Sequence, residues 1–172
     1  GLRLIGECAL AGPIFGTVVL DEHMETAASL LEVLPVPPGL PEMLAATALA
    51  AEGHGLRGVV AGKGAERLAR QQSLRLRLAN SERKLLGEIL RLLGQFKGLP
   101  GVRLGERAVC YRLAGFGAAF HLEKAWRKLH QEETKSLDGM WRELHSMGPE
   151  RLSGVAPVTG RDLMELGLDS GP

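Results

Sequence analysis

Leu85, Leu86, Ile89, Leu90, Leu93 and Phe96 recur at intervals of three and four residues. That spacing lines apolar side chains along one face of an α-helix and along no face of a strand. A chain carrying such a stripe must bury it against other helices. Met24, Ala27, Ala28, Leu31 and Leu34 form a second stripe behind an expected N-cap at Asp21, and Ala118, Ala119, Leu122, Ala125, Trp126 and Leu129 form a third. Pro41 and Glu42 suit the first turn of a further helix, whose Ala-rich run to Ala51 predicts close packing against a neighbour. Asn80 is the expected N-cap of the leucine helix, with Glu82 in its first turn, and Thr159 to Asp162 has capping-box spacing before a short helix stopped by Gly167. Breakers stand at Ala11-Gly12-Pro13, Pro35 to Gly39, Gly98 to Gly101 and Gly148-Pro149. No sustained alternation and no hairpin signal occurs. The expected fold is all-α, a multi-helix body of about seven to nine short helices.

The length of 172 residues fits one domain, and 45% apolar residues suffice for a core. Only 4% are aromatic, which argues against a β-sandwich and against a platform that stacks bases. Two cysteines, Cys8 and Cys110, are too few for a disulfide scaffold and read as small core residues, so a cytoplasmic setting is expected. No apolar stretch approaches the roughly 18 residues of a membrane span, and no secretory leader is seen. The opening Gly1-Leu2-Arg3 and the stop at Ser170-Gly171-Pro172 read as an excised piece of a longer chain.

Charge is unevenly placed. Residues 1–56 hold one basic and seven acidic residues, 57–128 hold sixteen basic and five acidic, and 129–172 hold four and eight. A central block this cationic is the footprint of a polyanion partner, because fixed Lys and Arg displace the counterions condensed on phosphates. The bland alternative is a set of helical surfaces neutralised by the acidic flanks after folding. Lys84, Glu88, Arg91 and Gln95 fall opposite the leucine stripe, and His121, Lys124, Arg127, Lys128 and Gln131 opposite the Trp126 stripe. Arg75 and Arg77, if helical, point about 200° apart, so only one need face a ligand. The candidate phosphate contacts are Arg75, Arg77, Arg83, Lys84, Arg91, Arg107, Arg112, Lys124, Arg127 and Lys128.

Chemical motifs are few. There is no HExxH, no CxxC and no calcium loop, and the histidine spacings match no metal set. Gly58 to Gly64 lacks P-loop spacing and reads as a connection between helices. No two aspartates stand two apart, so an Asp-x-Asp two-metal centre cannot be built. No catalytic and no metal-binding residue is expected.

Three stretches, read together, resemble one family. Arg75 to Leu86 is similar to the "RL(R/K)LSN-x-E" segment of bacterial tRNA nucleotidyltransferases and poly(A) polymerases (class II CCA-adding enzymes), with Ala79 in place of the usual serine. Glu106 to Gly115 resembles their "R-x-x-Y-R-x-G" helix. Val158 to Pro172 resembles their "G-x-D-L-x-x-L-G-x-x-P-G-P" motif, with Asp169-Ser170 where proline is common. The likeness spans roughly residues 20–172. It implies the end of a neck and the first body helices over 1–56, a basic helical body over 57–147, and the start of a tail over 148–172. It further implies a partner in tRNA or other RNA, held at acceptor and elbow, and a separate N-terminal head using Mg²⁺ with CTP and ATP. No cofactor is implied for this part. The alternative is a helical interaction module whose Ala-rich and Leu-rich faces form a homodimer or dock another subunit.

Overall fold

One helix organises the structure. In the computed structural model, which describes residues 2–15, 23–52 and 63–147, the leucine stripe lies on a helix over Asn80–Gln95 that packs against three others. In chain order the described elements are α1 (Leu2–Glu7), α2 (Ala11–Phe15), α3 (His23–Leu31), α4 (Leu40–Glu52), α5 (Lys63–Leu76), α6 (Asn80–Gln95), a 3-10 turn (Leu99–Gly101), α7 (Leu104–Tyr111), α8 (Phe116–Leu129) and α9 (Lys135–Ser146). The described residues form nine α-helices and no strand, so the chain is all-α. Helix α6 lies against α4, α5 and α8, while α3 joins α1 to α4. Leu86, Ile89, Leu90, Leu92, Leu93 and Phe96 are buried; Leu92 widens the expected stripe because α6 is covered on several sides. No helix among the described residues is long and apolar enough to cross a membrane.

The acidic N-terminal segment and the basic block share one core. Met24, Ala27 and Leu30 of α3 pack with Leu44, Ala45, Ala46 and Leu49 of α4, whose small side chains allow close approach. Arg3 ties α1 to α3 through Glu25 (2.8 Å) and Glu32 (2.7 Å). The scarce aromatics are concentrated at the other end. The Trp141 ring of α9 stacks on Phe120 at 4.1 Å, lies parallel to Phe116 at 6.0 Å, and meets Tyr111 edge-on at 6.3 Å. This cluster pins α9 onto α7 and α8.

Local details differ from the sequence expectations in informative ways. Helix α6 is capped by Ala79, not Asn80. Ala79 has the extended backbone of a cap, and its amide donates to Glu82 Oε2 at 2.9 Å, but its methyl group cannot accept the return hydrogen bond. The break expected at Ala11-Gly12-Pro13 falls earlier, at Ala9 with φ of 54°, and α2 runs through Pro13. Proline is tolerated there because a first-turn amide has no intrahelical acceptor. Cys8 is exposed and Cys110 half-buried, so neither is a core residue. His121 is not solvent-facing but sits half-buried against Phe120 and Trp141. Leu129, expected in the α8 stripe, is 51% exposed. The Asp21 cap, most of the Gly58 to Gly64 connection and the motif from Val158 to Pro172 lie outside the described residues.

Candidate functional site

Helices α5 and α6 approach closely where Ala69 faces Gly87. A Cβ built on Gly87 would stand 3.7 Å from the Ala69 methyl, in ordinary contact, so the two helices pack closely there. Two small residues at a crossing leave a trough, because the longer side chains on either side rise as walls. The trough encloses about 540 Å³. Its walls carry Glu66 and Arg70 from α5, and Arg83, Lys84, Glu88 and Arg91 from α6. Among the described residues no aromatic ring lines it.

Four cations gather on this groove without a partner among the described residues, as Arg67, Arg77, Lys97, Arg103, Lys128 and Lys135 do singly elsewhere. Among the described residues, the side chains of Arg70, Arg83, Lys84 and Arg91 make no hydrogen bond and no ion pair. Glu88 is held differently. Its Oε2 accepts from the amide of Gly115 at 3.3 Å, at the start of α8. That fixes the carboxylate in the wall instead of letting it fold over Lys84 or Arg91. The result is a strip of four cations and two carboxylates, net positive by two charges, which attracts a polyanion.

The remaining sequence candidates lie elsewhere. Arg75 donates from Nε to the Ile14 carbonyl (3.1 Å) and from a terminal nitrogen to that of Gly12 (3.3 Å), binding the end of α2 to α5. Arg77 ends α5 with φ of 52°, while the Leu78 amide reaches back to the Ser73 carbonyl at 3.1 Å, a left-handed C-terminal turn. Arg107 pairs with Glu143, and Lys124 with Asp138, each at 2.5 Å, so two carboxylates of α9 neutralise part of the basic block. Arg127 is buried: it pairs with Glu123 at 2.7 Å and donates to the carbonyls of Glu133 and Phe96. Periodicity placed Arg127 opposite Trp126, yet α8 is covered on two faces, so neighbours 126 and 127 both point inward. Arg112 is exposed at the end of α7. Lys128, with Lys124, His121 and Val33, lines a smaller cleft of its own.

The structure thus brings Arg83, Lys84 and Arg91 together and adds Arg70, which sequence reasoning missed. The signal was present, since Arg70 follows Glu66 by one helical turn and precedes Ser73, a buried position. Cys110 lies near Arg91; burial pushes its thiol pKa up while Arg91 opposes that shift, leaving a weak nucleophile at neutral pH. Among the described residues no group of three His, Cys, Asp or Glu side chains converges as a metal site. The sequence holds no Asp-x-Asp pair of the kind that would bind Mg²⁺ with CTP or ATP in the implied parent enzyme. Compared with family models, curated proteins and solved structures, the chain finds no match in any of the three.

Proposed function

We propose that this chain is a non-catalytic RNA-binding body whose α5–α6 groove grips the phosphate backbone of a folded RNA such as tRNA. The observation that carries the reading is the row of four unpaired cations on one groove. Cations kept for stability pair internally, as Arg107, Lys124 and Arg127 do. The floor of Ala69 and Gly87 lets a backbone approach, and a lining without rings among the described residues suits duplex RNA, whose bases are not free to stack. The resemblance at Arg75 to Leu86 and Glu106 to Gly115 supports reading such a body as the C-terminal part of a cytoplasmic tRNA nucleotidyltransferase or poly(A) polymerase-like enzyme. In such an enzyme a head domain would add nucleotides to RNA 3′ ends.

The test is tRNA binding to the full chain by fluorescence anisotropy across a salt series. Four phosphate contacts give a salt slope near −3.6, hence about a hundredfold loss of affinity between roughly 50 and 200 mM salt. The double substitution Arg70→Glu with Arg83→Glu should abolish binding, whereas Lys128→Glu, outside the groove, should change it little. A flat salt response with intact binding in the groove variant would overturn the reading. Self-association at high salt would then favour the interaction module and its homodimer.

A further inference from the structure

We propose that Glu88 selects ribose over deoxyribose in the backbone held by the α5–α6 groove. The inference rests on the RNA-binding reading and names a specificity residue within it. A carboxylate in a cationic groove is unfavourable for a ligand that offers only phosphates, because it repels them. Glu88 is not there to neutralise Lys84 or Arg91, since among the described residues it makes no ion pair. Its Oε2 is engaged by the Gly115 amide, and its Oε1 has no partner among the described residues. One oxygen therefore anchors the group, and the other remains as a hydrogen-bond acceptor beside the groove.

The order of charges follows the order of groups along an RNA strand. Lys84, Glu88 and Arg91 are spaced four and three residues apart on α6, so they follow one another along a single face. That row reads cation, acceptor, cation over about 10 Å of helix axis. A strand of RNA reads phosphate, 2′-hydroxyl donor, phosphate. DNA has the phosphates but not the donor. The wild-type groove favours the ribose strand because Oε1 accepts a hydrogen bond from the 2′-hydroxyl, and it disfavours the deoxyribose strand because the carboxylate is then left facing phosphates alone.

The probes are one RNA hairpin, the same hairpin with every 2′-hydroxyl methylated, and the DNA hairpin of equivalent sequence. Methylation removes the donor and keeps the phosphates. The wild-type chain should bind the RNA hairpin about tenfold more tightly than the methylated one, the ratio a single charged hydrogen bond supports. Glu88→Gln keeps an oxygen for the Gly115 amide and replaces the other with an NH₂ group, so the fold persists, as circular dichroism and thermal unfolding would verify. This variant should bind the methylated and DNA hairpins more tightly than wild type does, and the tenfold ratio should fall to near one. A ratio unchanged in Glu88→Gln, or no ratio in the wild type while both hairpins bind, overturns the role of Glu88 and leaves the RNA reading in place. Failure of the wild type to bind any of the three overturns both.

Discussion

Arg127 donates from Nε to Glu123 Oε1 at 2.7 Å, one turn away on α8, and the two side chains retain 10% and 2% of their exposure. The same guanidinium reaches the carbonyls of Phe96 and Glu133, so it joins α8 to the end of α6 and to the loop before α9. A cation that looked like surface charge is a fastener of the fold.

Removing one member of this pair leaves a buried charge uncompensated. Arg127→Ala should cost about 3 kcal/mol of stability and lower Tm by roughly 6–12 °C. The double substitution Glu123→Leu with Arg127→Met should recover most of that loss, because no unpaired charge remains. Urea unfolding of the three proteins checks it. Equal destabilisation in the single and double variants would show that packing, not charge, sets the cost. Charge reversal at Lys124 or Arg127 is accordingly a poor probe of ligand binding, since it breaks contacts inside the fold.

The cap of α6 is half made. Ala79→Ser should stabilise the chain by about 1 kcal/mol by supplying the acceptor that completes the exchange with Glu82. Ala79→Gly offers no acceptor and should not reproduce the gain. Denaturant midpoints at constant m-value distinguish the two.

Gly115 is needed for room. A Cβ there would stand 3.0 Å from the Ile89 amide nitrogen and 3.1 Å from the Glu88 Cβ, and backbone cannot yield as a flexible side-chain tip does. Gly115→Ala should destabilise by about 1–3 kcal/mol by pushing α8 off α6. It should also weaken RNA binding by releasing the Glu88 carboxylate from its anchor. By contrast Gly117→Ala meets nothing within 4 Å and should be neutral.

His121 makes stability depend on acid. Burial first, then Lys124 and His145, hold its pKa below the ordinary 6.5. The folded state therefore binds its proton less readily than the unfolded chain does. Stability from this group is full above about pH 6.5 and declines as pH falls below it, levelling once the folded-state pKa is passed. His121 borders two clefts, one lined by Lys124 and Lys128 and the other by Glu42, with His145 across the Trp141 ring. His121→Phe should reduce the stability difference between pH 7.5 and 5.5 in urea titrations. An unchanged difference would assign it to other groups.

How far the site was legible can be judged from the groove. Lys84 and Arg91 were readable as the polar face of α6, because a 3.6-residue period sorts one helix into faces without knowledge of its neighbours. Arg70 was passed over because α5 has no strong apolar stripe against which to phase it. The glycine at 87 carried no signal until Ala69 was found opposite it, 18 positions earlier.

Local periodicity and backbone preference were enough to define the helices, their apolar stripes and the all-α class, since those depend on contacts a turn or two apart. The fate of each cation was a tertiary decision. Arg75 was assigned by carbonyls more than 60 positions away, Arg107 by Glu143, and Arg127 by the covering of a second face of α8. Ion pairing falls off over a few ångströms, and only the packed chain sets which charges come within that reach.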